Sequence, residues 1–344
     1  MTVTLLSRRN LVVFPISAKF VISYHSISFL HGKETASKMD SDALNTFLMV
    51  FQRGGISNAA KALRRTQPAI SRRIALLEQE LGMPLFERVA GRIVLSDAGR
   101  VMVPYAERAV AATQDAEHAV RALARPDSGP VALAVVGTLA GGQLSAIMKR
   151  FAKEHPDVNL TLRTATSAEV SDLIRRGEAT IGLRYDRDPS RDLDCELLFA
   201  ERLQVVCAPD HPRAGRRAKK LADLRGERWI AFPVTPGRRE ITAAHVFALF
   251  QTHGLGEIEW TPVDSLTAQK RLIEAGLGIA LLSESNAAEE LERGSIAAIR
   301  VGDLKASQDV VTVTRRGGFL SAASRRLLDI FRARFKGRRM ASSE

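Results

Sequence analysis

Asn58-Ala59-Ala60-Lys61-Ala62-Leu63-Arg64-Arg65-Thr66-Gln67-Pro68-Ala69-Ile70-Ser71-Arg72-Arg73-Ile74 reads as one short helix, a tight turn, and the start of a second helix. Ser57 is a good N-cap for the short helix, which carries Ala59, Ala60 and Leu63 inward. Arg64-Arg65 makes the turn. Thr66 caps the next helix, with Pro68 close to the first-turn position where a missing N–H costs nothing. Its apolar stripe is Ile70, Ile74, Leu77 and Leu81, and Gly82 and Pro84 close it. The opposite face carries Gln67, Pro68, Ser71 and Arg72. Gln67 and Ser71 are four apart and project together from the first turns.

Upstream, Leu44, Phe47, Leu48 and Phe51 form one stripe of an earlier helix that Gly54-Gly55 ends. Downstream, Leu85-Phe86-Glu87-Arg88, a turn at Ala90-Gly91, and Arg92-Ile93-Val94-Leu95 predict a two-stranded ribbon. Three helices and a ribbon make a winged helix-turn-helix, whose recognition helix, the third here, enters the major groove by its N-terminal residues. Gln pairs bidentately with adenine and Arg with guanine. From Arg53 to Arg92 eight basic residues face three acidic ones, a denser positive charge than that of the whole chain at +12. Such residues contact phosphates. Arg64-Arg65 alone would read as a solvated charged face; the tri-helical pattern, the polar-and-arginine face and the basic ribbon together point to double-stranded DNA.

Ser96 caps a long helix reaching about Ala124. Met102, Ala106, Ala109, Thr113, Ala116, Val120 and Leu123 recur every 3.5 residues, a seam suited to pairing with a second copy; the alternative is packing on its own domain. Pro126-Asp127-Ser128-Gly129-Pro130 reads as a hinge. Strands and helices then alternate: strands at Val131–Val136, Val158–Leu162 and Ile181–Leu183, then Leu203–Val206, Trp229–Phe232, Ile258–Pro262, Ile279–Leu282 and Val310–Val313. Helices fall between them, and a last one spans Leu320–Phe335. This alternation predicts an α/β domain with a largely parallel sheet.

The run Asn58-Ala59-Ala60, Thr66-Gln67-Pro68-Ala69-Ile70-Ser71-Arg72-Arg73-Ile74, Leu77-Glu78, Leu81-Gly82, Leu85-Phe86-Glu87-Arg88 and Leu95-Ser96-Asp97-Ala98-Gly99 resembles the signature of LysR-type transcriptional regulators. The wider resemblance covers about residues 40 to 335. It implies an α/β chain with an N-terminal all-α winged helix-turn-helix and an effector domain of two Rossmann-like lobes, like type II periplasmic binding proteins. The expected division is a DNA-binding domain at 39–95, a dimerising linker helix at 96–125, a hinge at 126–130 and an effector domain at 131–340. Lobe I would take 131–202 and 300–340, and lobe II 203–299. The resemblance also implies homodimers or homotetramers on a promoter inverted repeat, RNA polymerase as a partner and a small-molecule effector. Gln67, Pro68, Ser71 and Arg72 map onto its base-contacting positions and Arg88 onto its wing; Ser57, Arg64, Arg65, Thr66, Arg73 and Arg92 complete the expected DNA surface. Gly91 stands where many members place a wing arginine, with Arg92 after it.

In this architecture ligands sit between lobes at strand ends and helix N-termini. The candidates are Thr138, Thr166, Ser167 and Ser265, each also readable as a plain N-cap. Arg184, at a strand exit, could pair a carboxylate, or else Asp186 or Asp188; with the helix N-termini it suggests an anionic metabolite. Glu178-Ala179-Thr180 lacks the acidic residue common in the family just before that strand.

Cys195 and Cys207 lie in no CxxC or Cys/His cluster, so no metal and no cofactor is expected, and they fit a cytoplasmic protein. No nucleophile–base pair or phosphate loop suggests an enzyme. A solute-binding protein without DNA would explain the second half but leave residues 40–95 idle. Residues 1–38 hold no run that spans a bilayer. Ser7-Arg8-Arg9 before Leu11-Val12-Val13-Phe14 is similar to a twin-arginine signal without a small-residue cleavage site, and the expectation is a non-native or disordered leader with Met39 as the natural start.

Overall fold

The computed structural model of the chain describes residues 4–7, 10–13, 39–124, 129–233 and 241–340. It divides into two units, Met1–Lys38 and Met39–Glu344. In the first, β1 (Thr4–Ser7) and β2 (Asn10–Val13) pair antiparallel, Thr4 opposite Val13. The expected leader otherwise lies outside the described residues, as does most of the expected hinge.

The second unit opens with α1 (Ser41–Gln52), α2 (Ile56–Leu63), α3 (Gln67–Leu81), the ribbon β3 (Phe86–Val89) and β4 (Arg92–Leu95), and the long α4 (Asp97–Ala124). Phe47, Ile70, Ile74, Leu77 and Leu85 close a small core that Ala106 and Val110 of α4 complete. Two ends of the expected stripes fall outside it: Phe51 is 42% exposed and Leu81 36%, because each ends its helix beside a solvent-facing turn. The N-cap of α2 is Gly55, at φ +151°, and not Ser57, which lies within the helix and is exposed. Thr66 and Ser96 do cap: Thr66 Oγ1 accepts from Ala69 N (3.4 Å) and Ser96 Oγ from Gly99 N (3.0 Å).

The α/β part contains β5 (Gly129–Val136), α5 (Gly142–Glu154), β6 (Val158–Ala165), α6 (Ser167–Arg175), β7 (Ile181–Tyr185) and β8 (Leu193–Cys207). Then come β9 (Arg217–Ala218), β10 (Trp229–Ala231), α7 (Ile241–Thr252), β11 (Trp260–Pro262), α8 (Leu266–Glu274) and β12 (Ala280–Ser283). The chain continues through α9 (Glu284–Arg293), β13 (Ala297–Val301), β14 (Ser307–Arg315) and α10 (Ala322–Met340). The large sheet runs β6-β5-β7-β14-β8-β13-β9, with β12 also on β8.

This sheet is mixed, which corrects the expectation of a largely parallel one. β5 is parallel to β6 and β7, but β14 is antiparallel to both β7 and β8, and β8 is antiparallel to β12 and β13. The reason is connectivity: β14 returns from the far end of the domain and enters between β7 and β8 from the opposite direction. One apolar core holds Leu133, Ile147, Phe151, Ile181, Leu198, Val311 and Phe331. Two further clusters, around Trp229 with Phe250 and around Ile230 with Ile273, hold the intervening segment. β8 joins them, giving Leu198 and Phe199 to the first core and Leu203 and Val205 to the second. At 3.3 Å per residue its fifteen residues span about 50 Å.

Candidate DNA interface and ligand cleft

The reading face follows from how α3 is anchored. Ile70, Ile74 and Leu77 face the core, so Gln67, Pro68, Ser71 and Arg72 stand exposed on the other side. Glu78 fixes the far end: Oε1 accepts from Leu85 N (2.7 Å) and Phe86 N (3.2 Å), tying the helix to the ribbon. The turn into α3 contains Arg64 in the left-handed region (φ +52°), which reverses the chain over the α2 C-terminus.

The expected cations divide into two sets. Arg73 Nη2 lies 2.7 Å from Asp40 and 2.8 Å from Asp42, and Arg65 Nη1 lies 2.9 Å from Asp42. These two arginines clamp α3 and its turn to the start of α1. The Ala43 amide and the Arg73 guanidinium hold the Asp40 carboxyl below its ordinary value. Arg64, Arg72, Arg88 and Arg92 are exposed and make no ion pair with the described residues.

The wing explains the glycine at 91. Ala90 (φ +49°) and Gly91 (φ +77°) form a two-residue turn with both residues in the left-handed region. That is the twist-matched hairpin turn, and its second position favours glycine over any arginine. The register sets Arg88 opposite Ile93 and Arg92 opposite Val89, so the two arginines emerge on opposite faces of the ribbon.

Between the two α/β cores lies a chain of buried polar groups. Thr138, in a single turn after β5, donates to Tyr185 Oη (3.2 Å), and the Tyr185 hydroxyl donates to Glu201 Oε2 (3.3 Å). Ser285 Oγ donates to Glu201 Oε1. Burial and then the Glu201 charge push the Tyr185 phenol far up, so it stays protonated. Gln308 Nε2 and Ser283 Oγ, 2% and 4% exposed residues, face this region without a hydrogen-bond partner among the described residues. The adjoining cavities hold about 60 and 30 Å³.

Of the expected ligand residues, Thr138 lines both cavities. Thr166 is instead an N-cap of α6 in a reciprocal capping box with Glu169, and Ser265 caps α8 through Ala268 N. Ser167 is buried one position inside α6, its hydroxyl without a partner among the described residues. None of these three lines either cavity.

Arg184 is a correction. It is 1% exposed, and its guanidinium donates to Asp188 Oδ2 (2.7 Å), Ser171 Oγ (2.6 Å) and the Tyr185 carbonyl (3.1 Å). Strand alternation is the reason: Arg184 faces α6 while Tyr185 faces the cleft. Burial would raise the Asp188 carboxyl, but Ser171, Ser190 and the charge of Arg175 hold it far below the ordinary range. Sequence reasoning missed Tyr185, Glu201, Ser283 and Gln308. The period-two pattern beside Arg184 was the signal for Tyr185; the others need the fold to meet.

Both cysteines are free, and the buried Cys207 thiol is pushed up to about 11 by burial and by Glu227 and Asp210. Among the described residues no cluster of three His, Cys, Asp or Glu could hold a metal ion, and no helix is long and apolar enough to cross a membrane.

A winged helix-turn-helix joined by a long helix to a two-core α/β domain defines a ligand-responsive DNA-binding regulator. Residues 41–100 match the bacterial regulatory helix-turn-helix protein, lysR family, and residues 124–336 match the LysR substrate binding domain. The chain belongs to the LysR family of DNA-binding transcriptional regulators. It is 27% identical over 283 residues to the uncharacterized HTH-type transcriptional regulator YybE of Bacillus subtilis (strain 168), covering 82% of this chain and 94% of that one. The transcriptional dual regulator GltC of the same organism is 29% identical over 259 residues, 75% and 85% of the two chains. Among solved structures, full-length CbnR complexed with its target DNA has 25% identity and a TM-score of 0.50, covering 86% of this chain and 99% of that one.

Proposed function

We propose that two copies of the chain place α3 in successive major grooves of an inverted repeat at a promoter, with Gln67, Pro68, Ser71 and Arg72 at base edges. Ser57, Arg64, Thr66, Arg88 and Arg92 face the phosphates, and Arg65 and Arg73 hold the helix at its angle. The observation that carries this reading is the exposed arginine set, without ion pairs among the described residues, around a helix whose other face is locked in a core. The division into a reader at 39–95, a linker at 96–125, a hinge at 126–130 and an effector domain at 131–340 follows the same logic.

Pairing runs through α4. Ala109, Thr113, Ala116, Val120 and Leu123 stay exposed along one side, with Leu123 84% exposed, whereas Met102 and Ala106 of the expected seam belong to the reader's own core. Dimers then join as a tetramer in the cytoplasm and contact RNA polymerase. A small effector enters between the two cores, where Thr138, Tyr185, Gln308 and Ser283 offer hydrogen bonds, and changes the spacing of the readers. The protein regulates and does not catalyse.

The test is fluorescence anisotropy of the full-length protein on its own upstream region, at several salt concentrations. Nanomolar, salt-dependent binding that outcompetes random DNA is expected. Equal affinity for both DNAs at every salt concentration would refute the reading.

A further inference from the structure

We propose that the junction between α4 and the first α/β core is a second ligand site, built for a small organic anion with an apolar body. A cavity of about 440 Å³ lies there. That is within the range of roughly 300–1,000 Å³ typical of small-molecule sites. Ile174, Ala179, Phe319 and Leu320 supply an apolar wall. Gln114, His118 and Arg121 enter from α4, and Arg315 from the end of β14.

The charge of this cavity favours an anion. Among the described lining residues the one carboxylate, Asp115, is already engaged, accepting from Arg315 Nη2 (2.7 Å) and from Phe319 N (3.1 Å). Arg315 Nε is buried with no hydrogen-bond partner among the described residues. Arg121 makes a single i,i+4 pair with Glu117 in which both side chains are mostly in water, so little holds it there. Its guanidinium and the exposed His118 imidazole are placed to take a carboxylate at the cavity mouth. The described residues lining the cleft between the cores include no lysine or arginine, and their one carboxylate is Glu201.

The site also survives pairing of the long helix. At about 100° per residue, Gln114, His118, Arg121 and Ala122 lie roughly opposite the exposed seam Ala109, Thr113, Ala116, Val120 and Leu123. A partner helix on the seam leaves the cavity open. A bound anion would touch α4, β14 and the segment leading into α10 at once, and so would favour the arrangement in which the linker helix is docked on the first core.

Isothermal titration of the full-length protein with benzoate and hexanoate, against benzylamine and hexylamine at equal ionic strength, tests this. The carboxylates bind and the amines do not. Arg121→Ala, at an exposed position, weakens benzoate about tenfold, Ala122→Phe fills the cavity and removes binding, and Glu201→Gln leaves it unchanged. Amines binding as well as carboxylates, or no carboxylate binding at all, overturns the proposal. So does full affinity in Ala122→Phe, or loss in Glu201→Gln with retention in Arg121→Ala, which would move the anion into the cleft.

Discussion

Arg72 and Arg73 are neighbours with opposite duties. Arg72 is exposed without an ion pair among the described residues, while Arg73 is held between Asp40 and Asp42. Arg72→Ala is therefore expected to weaken binding to the cognate site by about 1–3 kcal/mol and to relax base preference there. Arg88→Ala should weaken all sequences alike and lower the salt slope by about one. Anisotropy titrations on cognate and scrambled duplexes across a salt series separate the two patterns. Asp188 carries the second residue-scale prediction. Replacing it by Asn leaves the buried Arg184 cation without its carboxylate, which costs about 3–5 kcal/mol of stability at neutral pH. The Asp188 carboxyl is lower in the folded state than in the unfolded chain. Its contribution is thus complete above the unfolded value near ~3.9 and is lost as pH falls through the depressed folded value. Urea unfolding of wild type and D188N should differ most above pH ~5, and the gap should close in stronger acid.

At the scale of elements, α4 serves two masters along its length. Its first half packs Ala106 and Val110 into the reader core, and Gly99 sits so close to the ribbon that an added Cβ would lie 2.1 Å from the Leu85 carbonyl oxygen. Its second half leaves Val120 and Leu123 in the open. Leu123→Asp combined with Val120→Asp is expected to break the α4 pairing while leaving the reader folded; sedimentation velocity would show a species smaller than the wild-type oligomer, and circular dichroism an unchanged helix content. A variant that still sediments as the wild-type oligomer would place the pairing surface elsewhere. The 3.5-residue period over Met102–Leu123 was legible in the sequence. Which half of it faces the chain's own core was not, because periodicity reports a stripe and not the surface that covers it.

At the scale of the whole molecule, β14 is a rod with one end at the cleft and the other at the linker. Gln308 lines the cleft cavity and Arg315 grips Asp115 of α4. Asp115 also accepts from the Phe319 amide, so this carboxylate ties the helix to the first core at two points. Asp115→Ala is expected to free that docking: amide hydrogen exchange over residues 107–124 should rise severalfold while the strands of the first core keep their protection. Unchanged exchange would mean that apolar contacts at Ala111 and Gly177 suffice.

The helix-turn-helix was determined by the sequence itself, because its contacts are local: Thr66 caps, Gly82 stops, and Ile70, Ile74 and Leu77 recur on one face. The turn at Ala90-Gly91 belongs to the same class, since backbone sterics decide it within two residues. The long strand β8 was only half visible, because Asp194, Glu196, Glu201 and Arg202 break its apolar run. Asp194 and Glu196 are matched by Arg316 and Arg332, more than a hundred residues away. Arg184 looked like a ligand residue until Asp188 and Ser171 closed around it. The cleft and the linker cavity were decided by tertiary structure alone. Their walls come from segments distant in sequence, and side-chain direction, which turns a strand residue toward a cavity or into a core, exists only once the sheet has its partners.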